Sequence, residues 1–387
     1  MKYLLDYCKI AGNPVKKYEN TKKYIATGDI NENEIINFKE VYYNEKPSRA
    51  NLKVERGEVL FAKMQNTVKV LKIDEDNEKN IYSTGFYSLK PIESVETEYL
   101  YWFLNSDIFN MQKDNLSVGA TMRGLNNDGL KKILAPVFPD NKEQRNRANI
   151  LNKIYKTIEN RKQALKLCDS YLDAKFHEIF SDRPYDESEG KELEKIVSEE
   201  KTALKRGPFG GSLKKEYFVE EGYLVYEQRH AIHNDFEYAK YYIDEKKYEE
   251  MKGFAVKPGD LIVSCSGVTL GRIAEIPQNA KPGIINQALL KISLNNNIML
   301  NDFFVYLFRS EYVQNKLFGF SRGSGIPNFP SMKEVKKVKF FTPSIDEQEN
   351  FVNIIKRIKK SKDIINKDIQ NLTNLLKGKM NSYFKFI

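Results

Sequence analysis

One short segment of the chain occurs twice: Phe138-Pro139-Asp140-Asn141-Lys142-Glu143-Gln144 reappears in altered form as Thr342-Pro343-Ser344-Ile345-Asp346-Glu347-Gln348. The offset between the two copies is 204 residues (347 − 143). In both, a proline is followed by a capping residue, Asp or Ser, and three positions later by Glu. This is the capping box, in which the cap side chain and the Glu carboxylate each bond to a free backbone amide of a helix start. The repeat predicts two helices that begin at equivalent points of a duplicated chain.

A stripe of mostly apolar residues follows each capping box at alternating steps of four and three. The second stripe consists of Phe351, Ile355, Ile358, Lys362, Ile365, Ile369, Leu372 and Leu376. The first, 204 residues earlier, consists of Arg147, Leu151, Ile154, Ile158, Arg161, Leu165, Cys168 and Leu172. These stripes predict helices of about 40 residues, or roughly 60 Å, that pair with each other as a coiled coil. The alternative is that each helix packs on its own globular domain. Arg161 and Lys362 either set the register of the pair or extend their charges to the surface.

The regions before the helices also correspond, which predicts two modules with one plan. Residues 54–61 align with 256–263 at an offset of 202, and each indicates a turn that leads into an apolar strand. Residues 103–107 align with 307–311 on an amphipathic helix. We expect an α/β (α+β) protein with modules at 1–138 and 184–341, followed by helices at 139–183 and 342–387.

The composition permits a polyanionic partner. The chain has 62 Lys and Arg against 53 Asp and Glu, a formal charge of +9, which suits DNA without establishing it. Cys8, Cys168 and Cys265 lack the short spacing of a zinc site or a redox dithiol, so we expect free thiols. With no apolar leader and no run of about 18 apolar residues, we expect a cytoplasmic protein without a membrane segment.

No pattern in the sequence indicates a catalytic site, a cofactor or a metal. His230 and His233 are close in sequence but have no carboxylate–histidine motif or cysteine partner nearby. No Asn/Asp-Pro-Pro-Tyr/Phe segment of an adenine methyltransferase occurs. We therefore expect no catalytic residue, no metal and no cofactor on this chain.

The order of these features resembles the specificity subunit of type I restriction–modification systems. The resemblance covers nearly the whole chain and rests on the paired Pro-x-x-x-Glu-Gln helix starts, the duplicated plan and three motifs of the second module. These motifs are Lys205-Arg206-Gly207-Pro208-Phe209-Gly210-Gly211-Ser212-Leu213-Lys214, Ser266-Gly267-Val268-Thr269-Leu270-Gly271-Arg272 and Asn286-Gln287. The resemblance implies two target recognition domains that each read one half of a bipartite double-stranded DNA site. It also implies that the two long helices form an antiparallel coiled coil that fixes the separation of these domains.

The resemblance also implies partners for the long helices. These would dock two copies of a modification subunit, a DNA adenine methyltransferase that binds S-adenosylmethionine, and an ATP-dependent restriction subunit could join. The first module departs from the pattern. It lacks a Gly-Pro-Phe-Gly-Gly loop, and Met64-Gln65-Asn66 stands where the second has Ser266-Gly267-Val268. Its recognition loops are therefore harder to place.

The candidate DNA contacts are basic and polar residues beside glycine-rich loops and strand ends. Lysines and arginines around the second module's glycine loop suit phosphates, and Arg and Gln suit base edges. The candidates in the second module are Lys205, Arg206, Lys214, Lys215, Gln228, Arg229, His230, Arg272, Gln287 and Arg322. Those in the first module are Lys63, Gln65, Asn66, Lys69 and Arg123. For each taken singly, an ordinary exposed polar side chain is the more frequent explanation.

Two other functions fit the same sequence. One is a nuclease or methyltransferase with a degenerate active site, which turnover by the lone chain on DNA with S-adenosylmethionine would reveal. The other is a coiled-coil scaffold whose modules bind nothing, which a salt-dependent DNA affinity would exclude.

Overall fold

The computed structural model describes residues 2–209, 211–319 and 329–386. It divides into two compact units, Met1–Leu165 with Ile364–Ile387, and Lys166–Asp363. Each unit contains one module together with one half of each long helix.

The first module combines short strands with short helices. Its strands are β1 Lys2–Tyr3, β2 Cys8–Ala11, β3 Lys22–Ile25, β4 Ile30–Asn31, β5 Glu34–Ile35, β6 Lys39–Val41, β7 Ala50–Lys53, β8 Val59–Ala62, β9 Val70–Lys72, β10 Ile81–Ser83, β11 Phe86–Pro91 and β12 Leu134–Ala135. Its helices are α1 Thr97–Asn105, α2 Asp107–Asn115 and α3 Asn127–Leu130, and the long helix α4 Asn141–Phe180 follows. The main sheets have the strand orders β2-β11-β8-β9 and β6-β3-β10-β7. The first is antiparallel, and the second contains the parallel pair β3 and β10.

Strand β8 explains how the layers of this module are held together. Val59 and Phe61 belong to the core beneath α1 and α2, whereas Leu60 and Ala62 belong to a core on the other face of the sheet. Because successive strand residues point to opposite faces, a strand buried on both sides is apolar throughout. This accounts for the continuous apolar run that follows the turn at 54–58.

The second module has the same kinds of elements. Its strands are β13 Gly190–Glu192, β14 Leu204–Arg206, β15 Tyr223–Tyr226, β16 Tyr242–Ile243, β17 Ala255–Val256, β18 Leu261–Ser264, β19 Ile273–Glu275, β20 Gly283–Ile285, β21 Leu289–Ile292 and β22 Lys339–Phe341. Its helices are α5 Leu193–Ile196, α6 Gln228–His233, α7 Glu245–Glu250, α8 Asn301–Arg309, α9 Glu311–Phe318 and α10 Met332–Lys337, and the long helix α11 Ile345–Phe384 follows.

The second module repeats the sheet topology of the first. Its sheets have the orders β14-β21-β18-β19 and β16-β15-β20-β17, and β15 runs parallel to β20 as β3 does to β10. Leu261 and Val263 of β18 belong to the core beneath α8 and α9, and Ile262 belongs to the core on the other face. The predicted duplication is confirmed, and it extends to strands whose sequences are not visibly similar.

Each long helix begins at its predicted cap. The amide of Glu143 donates to Oδ1 of Asp140 at 2.9 Å, and the amide of Glu347 donates to Oγ of Ser344 at 3.4 Å. In the second copy the Ser344 amide also donates to the Glu347 carboxylate at 2.9 Å, which completes the capping box. In the first copy Glu143 instead pairs with Arg147, with 2.7 Å between Nε and Oε1.

The charge of Glu347 is stabilised at the start of α11. Arg183 donates to its carboxylate at 2.6 Å, and the Ser344 hydroxyl donates at 2.7 Å. These hydrogen bonds lower the pKa of Glu347 from 4.5 to about 2. The carboxylate therefore stays ionised at an end of the helix that favours negative charge.

The glutamine that ends the first motif locks the first module to α4. Gln144 is fully buried, and its Oε1 accepts from the Glu96 amide at 2.9 Å. Its Nε2 donates to the carbonyl of Ser94 at 2.9 Å and to that of Pro139 at 2.7 Å. The side chain thus joins the entry to α1 with the entry to α4.

Gln348 makes the same connection in the second module. Its Oε1 accepts from the Leu300 amide, and its Nε2 donates to the carbonyls of Ile298 and Pro343, each at 2.9 Å. Gln348 is also fully buried. Only a side chain with an acceptor and two donors at this length can make all three bonds, which explains why Gln closes both motifs.

The long helices pack antiparallel in the first unit. The Arg147 guanidinium lies 5.1 Å from the ring centre of Tyr383, and Nε of Arg161 lies 3.4 Å from the Asp368 carboxylate. Residue numbers that rise along α4 are thus matched by numbers that fall along α11.

The same direction holds in the second unit. The rings of Phe176 and Phe351 are 5.3 Å apart, and Lys362 forms an ion pair with Asp169. The two basic seam residues therefore each meet an aspartate on the opposite helix, Arg161 in the first unit and Lys362 here. Such ion pairs at the surface stabilise by only about 0–1 kcal/mol, so they add little to the stability of the helix pair.

Candidate nucleic-acid interface

Four segments of the second module meet where strands of its two sheets end. The Asn286 amide donates to the Tyr226 carbonyl at 2.9 Å, and the Cys265 amide donates to the Ala288 carbonyl at 2.8 Å. These bonds join the end of β15 and the end of β18 to the loop between β20 and β21, and the end of β14 lies against the same loop. We call this region the strand-end surface, which comprises residues 205–209, 226–230, 264–272 and 286–288.

Gly207 allows the fourth segment to reach this position. Its amide donates to the carbonyl of Leu289 at 2.8 Å. A Cβ atom at Gly207 would lie 1.8 Å from the Asn286 carbonyl oxygen, which is far inside van der Waals contact. This glycine of the predicted loop is therefore required by the packing of the chain itself.

Several predicted contacts come together on the strand-end surface. They are Arg206, Gln228, Arg229, Arg272 and Gln287. Arg229, Arg272 and Gln287 are exposed, whereas Arg206 and Gln228 are half-buried. These side chains come from four different sheet strands or the segments that follow them, so their proximity is a product of the fold.

Two polar side chains of this surface, Arg229 and Gln228, have partners within the chain. The Arg229 guanidinium lies 4.3 Å from the Tyr238 ring centre and 3.6 Å from the Asp235 carboxylate. Nε2 of Gln228 donates to Oγ of Ser266 at 2.8 Å. Among the described residues, the buried Oε1 of Gln228 has no hydrogen-bond partner.

His230 was predicted to contact DNA, but the structure buries it completely. Its Nδ1 accepts from the Glu227 amide at 2.9 Å, and its Nε2 lies 2.9 Å from the Tyr238 carbonyl, to which it donates. Both ring nitrogens are thus used inside the fold, where His230 joins the start of α6, which carries Arg229, to the segment at Tyr238.

Among the other basic candidates of the second module, Lys205 lies on the strand-end surface, and Lys214 and Lys215 follow that segment in sequence. Lys205 is half-buried, with Nζ 5.1 Å from the Phe254 ring centre. Lys214 and Lys215 are exposed, and Nζ of Lys214 is 3.6 Å from the Glu216 carboxylate. Arg322 lies outside the described residues.

In the first module the corresponding loop rests on helix α2. Nε2 of Gln65 donates to the Asp114 carbonyl at 3.1 Å, and the Gln65 amide donates to the Arg123 carbonyl at 3.0 Å. Asn66 has a φ of +55°, and its amide donates to Oδ1 of Asp114 at 3.0 Å. Asn66 and Arg123 are exposed, whereas the Gln65 amide group is held by the protein.

The two lysine candidates of the first module bind backbone carbonyls. Nζ of Lys63 donates to Thr84 at 2.9 Å and lies 4.1 Å from the Tyr87 ring centre, and burial lowers the pKa of Lys63. Nζ of Lys69 donates to Thr27 at 2.7 Å. Both are half-buried, so a phosphate contact would have to compete with these bonds.

Sequence reasoning missed Lys113, which supports this loop from beneath. Its side chain is 1% exposed, and Nζ donates to the carbonyls of Met64, at 3.2 Å, and Thr67. Asp114 lies 3.6 Å away, and burial nevertheless lowers the pKa of Lys113. A lysine on an amphipathic helix normally indicates an exposed position, so no local signal could have identified it.

The described residues contain no group of three or more His, Cys, Asp and Glu side chains that could hold a metal ion. Across the same ranges, no helix is both long and apolar enough to cross a membrane. The three cysteines are free, and burial raises the pKa of Cys8 and of Cys265 to about 12.

Comparison with protein families decides what the duplicated fold is. The sequence model described as the type I restriction modification DNA specificity domain matches the chain twice, over residues 6–167 and 210–374. The chain belongs to this family. Specificity subunits are the non-catalytic members of their systems, so the alternative of a nuclease or methyltransferase is set aside, and the two modules are target recognition domains.

Solved structures agree with the family at the level of the fold. One chain comes from a structure of the complex assembly and conformational transition of a type I R-M system, with a TM-score of 0.61, 15% identity and 97% of each chain covered. Another is the S subunit of a type I restriction–modification system from M. genitalium, with a TM-score of 0.53, 15% identity, and 99% of this chain and 95% of that one covered. No curated protein matched in sequence.

Proposed function

We propose that each target recognition domain reads one half of a bipartite double-stranded DNA site. The observation that carries this proposal is that the two modules share a scaffold but differ where their strands end. The fully buried Gln144 and Gln348 each make three hydrogen bonds, to equivalent backbone groups of their modules, and we call each set a glutamine clamp. By contrast, Glu227-Gln228-Arg229 follows β15, where Ala26-Thr27-Gly28 follows β3. A shared frame with different surfaces suits two different half-sites.

The chemistry of the second module's strand-end surface suits the major groove. Arg pairs with the O6 and N7 acceptors of guanine, and Gln pairs with the N6 donor and N7 acceptor of adenine. Arg229 and Gln287 are exposed for such contacts, and Gln228 would gain a partner for Oε1 by turning outward. The exposed Lys214 and Lys215 would add contacts to the phosphates beside them.

The long helices are proposed to dock the partner subunits. Exposed apolar side chains lie along both helices, between 41 and 60% exposed, and such side chains suit a protein partner. They are Ile150, Leu167 and Tyr171 on α4 and Ile364 and Leu375 on α11. We propose that two copies of a DNA adenine methyltransferase, which binds S-adenosylmethionine, dock here in the cytoplasm. An ATP-dependent restriction subunit completes the restricting form.

The test is to co-express the chain with its modification partner and to map methylated adenines by sequencing. The expected result is a bipartite motif with an unspecified gap. Replacing residues 190–341 with the equivalent module of a relative should change one half of that motif only. Changes in both halves would mean that the modules share one recognition surface.

The scaffold alternative makes the opposite prediction about DNA. If the modules bind nothing, the complex should show the same affinity for DNA as the methyltransferase alone. A salt-dependent increase in affinity contributed by this chain would exclude the scaffold.

A further inference from the structure

The most exposed large apolar side chains of the described residues are Phe209 and Val268, at 90% and 99%. Both lie on the strand-end surface of the second module, in neighbouring loops. The Gly207 amide donates a hydrogen bond to the Leu289 carbonyl, and the Cys265 amide donates to the Ala288 carbonyl. The loops that carry Phe209 and Val268 therefore lie on either side of the short segment at 286–289. Single exposed apolar residues are ordinary, but two almost fully exposed ones beside a set of polar base-reading candidates indicate a contact surface.

The backbone holds Phe209 outward. Pro208 before it is buried, and the Ser212 amide donates to the Phe209 carbonyl at 2.9 Å in a turn. Gly211 lies in that turn, and a Cβ there would meet nothing within 4 Å in the described part of the chain. The packing of the described residues therefore leaves the space beside Gly211 open.

The first module also has exposed apolar side chains beside its own polar candidates. Val68, Val118 and Met122 are 48%, 54% and 65% exposed. They lie on the loops that the Gln65–Arg123 backbone hydrogen bond holds together. Apolar groups thus accompany the polar candidates in both modules, although the sequences of these loops differ.

We propose that Phe209 and Val268 contact thymine methyl groups in the half-site read by the second module. The inference rests on the proposed function and assigns these two residues a part in specificity. The C5-methyl of thymine is the apolar group that base pairs present in the major groove, and the neighbours Gln228, Arg229 and Gln287 suit that groove. Apolar side chains can also insert between bases as wedges, but that mode is typical of proteins that bind the minor groove.

The test combines methyl removal from the DNA with truncation of the protein. The chain in complex with its methyltransferase is assayed for binding and methylation on duplexes in which each thymine of the second half-site is replaced in turn by uracil, which lacks the methyl group. At a contacted thymine, the wild-type affinity should fall about four-fold, the effect expected for one buried methyl group. Phe209→Ala or Val268→Ala should lower affinity for the thymine duplex but cause no further loss when the contacted methyl is already absent.

Val219→Ala is the matched control. Val219 is an exposed valine of the same module, 40% exposed, that precedes the opposite end of β15. Its truncation should leave the effect of uracil unchanged at every position.

Two results would overturn the inference. One is that the loss of affinity from each truncation and the loss from uracil simply add at every thymine position. The other is a DNA kink, measured by energy transfer between labelled duplex ends, that Phe209→Ala removes without any dependence on thymine methyls, because that identifies a wedge. Failure of the proposed function looks different, since the wild-type complex would then show no preference for any sequence.

Discussion

The buried glutamine clamps allow the sharpest test of how the modules are held on the helices. Gln144→Leu keeps most of the side-chain volume but removes one acceptor and two donors. It leaves the Glu96 amide and the Ser94 and Pro139 carbonyls without the bonds seen at 2.7–2.9 Å. Because Gln144 is fully buried, water cannot replace these bonds without opening the helix start.

The magnitude follows from the number of groups that lose a partner. Each buried backbone group left unsatisfied costs about 1–3 kcal/mol, so three groups at the lower limit cost about 3 kcal/mol. A domain is commonly stable by about 5–15 kcal/mol, so the loss is a large fraction of the total. Gln348→Leu should cost the same within about 1 kcal/mol, because its three bonds are each 2.9 Å long.

A local measurement is needed because a two-module chain need not unfold in one step. Hydrogen exchange of the full chain, read by mass spectrometry, reports on the amides of Glu96 and Leu300 separately. Gln144→Leu should speed exchange at Glu96 by about a hundred-fold, the factor that corresponds to about 3 kcal/mol. Leu300 should change only in the Gln348→Leu variant.

Gln163→Leu provides the control, because Gln163 is exposed on the same helix α4. It should leave the exchange of both amides unchanged. If Gln144→Leu were as mild as Gln163→Leu, the clamp would not stabilise the junction. If only one of the two substitutions speeded exchange, the two clamps would not stabilise their modules equally, although their hydrogen bonds are equivalent.

Three further outcomes are expected. If the complex neutralises about eight phosphates, log K should fall with log salt at a slope near −7, and replacing Lys214 and Lys215 by Ala should flatten the slope without changing the methylated sequence. Inserting seven residues at opposite points of the paired helices, after Ile158 and after Gln370, adds about 10 Å and should widen the unspecified gap by roughly three base pairs. An active variant with an unchanged gap, read by sequencing methylated adenines, would show that the helices do not measure the spacing. Glu347 has its pKa lowered from 4.5 to about 2, so it stabilises the fold above pH 4.5, and that contribution is lost as the pH falls towards 2. Urea unfolding should therefore find Glu347→Gln less stable than the wild type at pH 6 and nearly equal to it near pH 2, whereas a constant difference would assign the effect to packing.

The sequence predicted the features that depend on nearby residues. The cap at Asp140 and the capping box at Ser344 involve residues three positions apart, so their spacing is visible in the chain itself. The apolar stripes predicted two long helices that pair with each other, because a heptad repeat is visible within the sequence of each helix. Sequence also placed Arg229 and Gln287 among the candidates, and both are exposed on the strand-end surface.

What only the tertiary structure decided is the environment of each side chain. Gln144 and Gln348 belong to a visible motif, but their key partners lie 48 and 50 residues away in sequence. His230 is polar and adjacent to exposed Arg229, yet it is buried on helix α6 with its Nε2 donating to the Tyr238 carbonyl. Lys113 was missed because the carbonyl oxygens that accept its hydrogen bonds come from another loop.

The same distinction applies to the apolar residues. By composition, Phe209 and Val268 would be assigned to a core, and only the packing of four strand ends leaves them facing outward. Helix caps and stripes are set by contacts within a few residues, so the sequence alone determined them. Burial is set by which distant segments pack together, so the identity of the exposed base-reading groups depended on the folded sheets.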